Sequence, residues 1–366
     1  MLVATWWFID HPLHGGKPMV QPKSLDLALQ GGGAHGAYTW GVIDRLLADD
    51  RIEIEGISGT SAGAMNGVVM ADALTRGNKE TARTALHDFW QAVSRAGMAS
   101  PIRRTPLDKL TGNWSLAHSP GYIAMDLMSR LVSPYQFNPL NVNPLREIVA
   151  ERIDFDRVRR CEQLKLFVTA TNVRTGKQRV FRRQEMTLEA IMASACLPFV
   201  FQAVEIDGEA YWDGGYMGNP ALFPLMEECS ARDILLVQIN PIRRDTVPTT
   251  ASGIMNRLNE ITFNSALIKE IRMIAMLKQV LDAQGIENCY QQALFHRISG
   301  EGALQELSVS SKLNAEWPFL CHLFEQGRAA ADRWLEDNID ALGHHSTLDI
   351  DDVYLDDSSA PAEAPI

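Results

Sequence analysis

Apolar positions along this chain switch repeatedly between two periods. Residues 25–30 alternate apolar and polar and end in glycines, as a half-buried strand does before a tight turn. From Ala37 the apolar positions Trp40, Val42, Ile43, Leu46 and Leu47 recur at helical spacing until Asp49 and Asp50. Residues 52–58 read as a second strand, and residues 62–74 and 79–94 as helices, the first with small residues packed at its start. Strand character returns at 164–171 and 179–181, in a hairpin turning at Asp207-Gly208, and at 234–239. Strand alternating with helix predicts an α/β fold with a largely parallel central sheet covered on both faces.

The flanks read differently. Residues 10–24 hold Pro12, Gly15, Gly16, Pro18 and Pro22 without periodicity, so residues 1–22 are expected to be a flexible extension and the ordered domain to begin near Lys23. Residues 97–143 mix Pro101, Pro106, Pro120, Pro134 and Pro139 with Trp114, Tyr122, Met125, Met128, Tyr135 and Phe137. That irregular stretch reads either as a lid or ligand pocket lined by deformable apolar side chains, or as a satellite core under a long loop. Beyond Pro241 the pattern is mostly helical. Ile254, Leu258, Ile261, Leu267, Ile271, Ile274, Leu277 and Leu281 mark one long amphipathic run, and residues 315–340 add a second. The long run is expected to pack on a core rather than lie on a membrane, because its polar face carries acids among the bases. Residues 23–240 thus form the expected main α/β domain, 241–345 a helical C-terminal extension, and 346–366, crowded with aspartates, a solvated and disordered tail.

Composition narrows the class. At 366 residues with 46% hydrophobic and 22% charged positions, the chain can bury a sizeable core, and no apolar run approaches the roughly 20 residues that span a bilayer. A net charge of -11 disfavours nucleic acid and strong docking to anionic lipid, so any membrane contact is peripheral. The first nine residues are apolar but lack a basic start and a small-residue cleavage pattern, and do not read as a signal peptide. Five widely spaced cysteines without a Cys-x-x-Cys pair indicate neither a disulfide framework nor a zinc site, which fits a reducing cytoplasm.

Chemistry concentrates at three places. Gly59-Thr60-Ser61-Ala62-Gly63 lies between an apolar strand and a helix, the setting of a nucleophile elbow, where a strained turn exposes the serine hydroxyl beside a helix N-terminus. Gly31-Gly32-Gly33-Ala34-His35-Gly36 also follows a strand and opens a helix. Such a loop lets backbone amides converge on a tetrahedral oxyanion, but it equally matches the Gly-x-Gly-x-x-Gly dinucleotide fingerprint. The dinucleotide reading wants an acid at the end of the second strand, where this chain has the elbow instead. Asp213-Gly214-Gly215 follows the return strand of the hairpin. A serine needs a base to take its proton, and Asp213 is a candidate.

Together these motifs resemble the patatin-like phospholipase family, which carries a glycine-rich oxyanion loop, a Gly-x-Ser-x-Gly elbow and a later Asp-Gly-Gly or Asp-Gly-Ala in this order. Ala193-Ser194-Ala195-Cys196-Leu197-Pro198 is similar to the family's Ala-Ser-x-x-x-Pro element. The resemblance covers residues 25–219 and implies a three-layer, patatin-type variant of the α/β-hydrolase architecture. It also implies Ser61 as nucleophile, Asp213 as base in a Ser-Asp dyad without cofactor or metal, and oxyanion donors among Gly31, Gly32, Gly33, Ala34 and Gly36, chiefly the amides around Gly32 and Gly33. The implied substrate is a phospholipid or lysophospholipid, with neutral lipid or aliphatic polyester as alternatives. His35 stands where many members have Arg or Lys. A histidine-based triad through His296, His322, His344 or His345, a nucleotide-binding module and a non-catalytic lipid binder are the competing readings.

Overall fold

The structure, a computed structural model, describes residues 21–355. An eight-stranded sheet forms its centre, from β1 (Lys23–Leu29), β2 (Ile52–Gly59), β3 (Lys165–Asn172), β4 (Gln178–Arg182), β5 (Val204–Ile206), β6 (Glu209–Asp213), β7 (Asp233–Gln238) and β8 (Leu294–Ser299). The order is β5-β6-β3-β2-β1-β7-β8, with β4 pairing on β3. The run β3-β2-β1-β7-β8 is parallel, whereas β4, β5 and β6 pair antiparallel. Central β1 shows why its sequence alternates. Leu25, Leu27 and Leu29 enter one core with helices α1 (Gly36–Leu47), α2 (Ala62–Arg76) and α3 (Lys79–Gly97), while Ala28 enters a second core on the other face with Ile234, Leu236 and Leu267. A sheet buried on both faces between helices is the three-layer α/β architecture that was expected.

Several features depart from the sequence reading. Part of the expected helical C-terminal extension, 241–345, joins the sheet. Its strand β8 pairs with β7, and its helix Trp317–Asn338 packs Phe319, Leu320 and Leu323 into the same core as α1. Sequence reasoning missed β8 because Leu294-Phe295-His296-Arg297 does not alternate; His296 is buried there by bonds to Asp233 and Thr347, not by apolarity. The long helix Ala251–Gln284 buries Leu267, Ile271, Ile274 and Leu281, but Ile254, Leu258, Ile261 and Leu277 of the same expected stripe are exposed.

Residues 346–355, expected to be solvated tail, are packed. Ser346 and Thr347 bond β8, and Tyr354 is buried with its hydroxyl donating to Gln238 Oε1 at 2.8 Å. Residues 1–20 of the expected N-terminal extension, and the tail after 355, lie outside the described residues.

The proline-punctuated stretch is helical. Pro106, Pro120, Pro134 and Pro144 each open a short helix behind Thr105, Ser119, Ser133 or Asn143. Proline fits the first helical position because its missing N–H would be unpaired there anyway.

Candidate active site

The site gathers where β1, β2 and β6 end. At the close of β2 the chain turns abruptly into α2, and Ser61 sits in the turn with φ 53, in the left-handed region that a side chain rarely adopts. Three bonds hold this conformation: Thr60 N to Leu29 O (3.2 Å), Thr60 Oγ1 to Gly218 O (2.7 Å) and Gly63 N to Thr60 O (2.8 Å). Ser194 Oγ accepts the Ser61 amide at 2.9 Å. That contact gives the Ala-Ser-x-x-x-Pro element a physical task.

The glycine loop lies directly against this turn. A Cβ on Gly31 would stand 2.8 Å from Ser61 Cβ, and Gly36 abuts Ala62. Gly33 has φ 58 and opens a 3-10 turn, Gly33–His35, whose first amides have no acceptor within the turn. Not all of the loop's amides are free for an oxyanion. Gly31 N donates to Asn219 Oδ1 at 2.6 Å, and Gly36 N bonds back to Ala34 O and Gly33 O, so the expected donor set shrinks to Gly32, Gly33 and Ala34. His35 turns away from the serine: Nε2 bonds Ser311 Oγ at 2.8 Å, and burial lowers its pKa to about 3, leaving it neutral.

Asp213 ends β6, opposite Ala170 of β3, and is almost completely buried. Its Oδ1 accepts from Gly215 N at 2.8 Å, while Oδ2 has no hydrogen-bond partner. Burial pushes the carboxyl up to about 7; the Gly215 amide, the Ser61 hydroxyl and the Lys312 ammonium each pull the other way. Ser61 Oγ therefore lies near enough to favour the charged carboxylate, although no bond of ordinary length joins the two. A buried carboxyl poised near neutrality beside a hydroxyl can accept and return a proton.

Two of the downstream histidines are engaged elsewhere. His296 bonds Asp233 and Thr347 at the sheet edge, and His322 stacks on Trp114. A polar cleft of about 660 Å³ lined by Asp72, Arg76, Glu151 and Arg152 includes neither Ser61 nor Asp213. Within it Asp72 is ion-paired to Arg76 and Arg157.

With this geometry in view, the sequence match is decisive: the family model described as patatin-like phospholipase matches residues 27–226, more than half the chain. The chain belongs to the patatin-like phospholipase family. Among solved structures, this patatin-like chain is similar to VipD from Legionella pneumophila, at 15% identity and TM-score 0.38, over 86% of this chain and 67% of that one. It is also similar to ExoU in its complex with SpcU from Pseudomonas aeruginosa, at 15% identity and TM-score 0.33, over 87% of this chain and 52% of that one. The chain thus spans about two thirds of VipD and about half of ExoU. No curated protein matches it in sequence.

What the motifs did not reveal is the polar frame behind the loop. Gln30 Oε1 accepts from Ile239 N, Asn240 N and Asn240 Nδ2, and Asn240 Nδ2 also donates to Gly31 O at 2.8 Å. With Asn219 and Lys312, these residues come from four separate segments, and no local spacing signals their meeting.

Proposed function

We propose that this chain is a serine acyl hydrolase that cleaves carboxylic ester bonds of lipids, with phospholipase A or lysophospholipase activity, through a Ser61–Asp213 dyad. The observation that carries this reading is the unpartnered, buried Asp213 Oδ2 beside a serine held at positive φ on an elbow. As Ser61 Oγ attacks the ester carbonyl, its proton passes to Asp213. The tetrahedral oxyanion rests on the amides of Gly32, Gly33 and Ala34. Collapse breaks the ester C–O bond, and the departing alcohol takes the proton from Asp213. Water then loses a proton to Asp213 as it attacks the acyl-enzyme, and collapse returns that proton to Ser61 as the fatty acid leaves. The chemistry needs no cofactor.

A lipid substrate is supported by the apolar side chains exposed on segments that flank the site. Leu107, Leu110, Ile123, Leu127, Met128 and Leu131 lie in the stretch that Ser115 ties to Ser308 and Ser310. Ile254, Leu258 and Ile261 lie on the helix whose Phe263 packs on Gly215. Among the described residues no helix is long and apolar enough to cross a membrane. In the test, fluorophosphonate labelling and release of fatty acid from phospholipid vesicles are compared between wild type and Ser61→Ala. Both activities should vanish in the variant with its fold intact; residual turnover near wild type refutes the assignment.

A further inference from the structure

The C-terminal segment reaches the site through one short turn, Val309–Leu313, and two of its residues meet the glycine loop. Ser311 holds His35, as described. Lys312 sets its backbone carbonyl against Gly33 and directs its ammonium inward, where Nζ donates to Asn240 Oδ1 at 2.7 Å. Asn240 in turn holds Gly31 O, and Nζ lies 5.7 Å from the centre of the Phe263 ring, which packs on Gly215. The ammonium is therefore enclosed between the loop that carries the oxyanion amides and the loop that follows Asp213.

A lysine so enclosed loses hydration, and one neutral amide oxygen restores little of it. Two carboxylates act on it, Glu260 and Asp213. Glu260 is already bonded by Arg244 at 2.5 Å and Arg257 at 3.1 Å, and Arg244 opposes the charge of Lys312. Asp213 acts on it after Glu260, and among the described residues no ion pair to another base is found for Asp213. His35, neutral and turned to Ser311, brings no charge of its own.

We propose that Lys312 is the positioning cation of this active site: it favours the ionised form of Asp213 and, through Asn240, fixes Gly31 beside Ser61. The inference rests on the serine hydrolase reading and adds a residue from outside the family-matched segment, 27–226. The groups facing the pair do not titrate between them. Cys196 and Tyr216, both beside Asp213, are pushed by burial to about 12, and His35 is held near 3. A profile between about pH 5 and pH 10 thus reports Asp213, near 7, and Lys312, which burial lowers to about 8.

The experiment measures the second-order rate of fluorophosphonate labelling of the full chain across that range for wild type, Lys312→Met, Lys312→Gln and Lys312→Arg, with a thermal melt of each. Wild type should rise through about pH 7 and decline above about pH 8. Lys312→Met and Lys312→Gln should move the rising limb to higher pH, losing about tenfold at pH 6 for each unit moved, and should abolish the decline. Lys312→Arg should keep the rising limb and carry the decline beyond the range. A Met variant with the wild-type profile, or one slowed uniformly without movement of either limb, overturns the proposal. Should the Met variant fail to fold, identical profiles for Gln and Arg overturn it instead. Wild type that does not label at any pH overturns the hydrolase reading and this inference together, whereas a labelled wild type with an unmoved variant profile sinks Lys312 alone.

Discussion

Replacing Asp213 by Asn should abolish chemistry and yet stabilise the protein. The side chain keeps its shape, Oδ1 can still accept from Gly215 N, and the amide placed at Oδ2 can still meet the Ser61 hydroxyl, but it cannot take a proton. The magnitude follows from the raised pKa. In the unfolded chain the carboxyl titrates near 3.8 and in the folded protein near 7, because burial disfavours its charge. The folded state therefore holds a proton that the unfolded state has lost, and stability falls as pH rises from about 4 to about 7. Integrated over that window, the ionised aspartate costs about 4 kcal/mol as an upper bound. Asn carries no such cost. Melting temperatures of wild type and Asp213→Asn, taken from about pH 4 to about pH 8, should coincide at the acid end and separate by several degrees at the alkaline end, with the variant higher. Turnover of the variant should fall to the level of Ser61→Ala, and the double variant should lose nothing further because the two groups act as one unit. Equal melting at pH 8 would refute the buried-base argument; appreciable turnover in the variant would refute the dyad.

Two further outcomes separate the competing readings. Gly33→Ala puts a Cβ at φ 58 and against the Lys312 carbonyl, and should cut kcat about 100-fold with a smaller effect on KM, as loss of an oxyanion donor does. An unchanged kcat would remove Gly33 from the donor set, and loss of adenine or nicotinamide nucleotide binding would revive the dinucleotide reading. His296→Ala strips Asp233 of a buried partner at the sheet edge and should cost about 3 kcal/mol in urea unfolding while leaving turnover per folded molecule unchanged. A folded but inactive His296→Ala would bring back a histidine-based hydrolase.

What could be read from the sequence was local. The alternation of Leu25, Leu27 and Leu29, the helical recurrence after Ala37, and three glycine-bearing turns at strand ends each depend on neighbours a few residues apart, and together they led to the three-layer fold and the family. The helices after Pro106, Pro120 and Pro134 were legible too, since a capping Thr or Ser precedes each proline; counted merely as chain breakers, those prolines made the stretch look irregular. Strand β8 was not legible, because a polar pair, His296 and Asp233, buries it where an apolar pattern would have announced it.

The composition of the site beyond its motifs was decided by tertiary contact. A sequence names the amides of Gly31 and Gly36 alongside those of Gly32 and Gly33, but only folding brings the Asn219 side chain onto Gly31 and closes the turn that occupies Gly36. It names Asp213 as an acid, yet the poise of that carboxyl near 7 comes from complete enclosure, which depends on chain folded over it from both sides of the sheet. Lys312 lies 99 residues beyond Asp213 in a serine-rich turn with no motif of its own. Pattern can report periodicity and turn chemistry because these act within a few bonds; solvation and through-space charge act over several ångströms between segments, and so were fixed only when the C-terminal turn closed over the glycine loop.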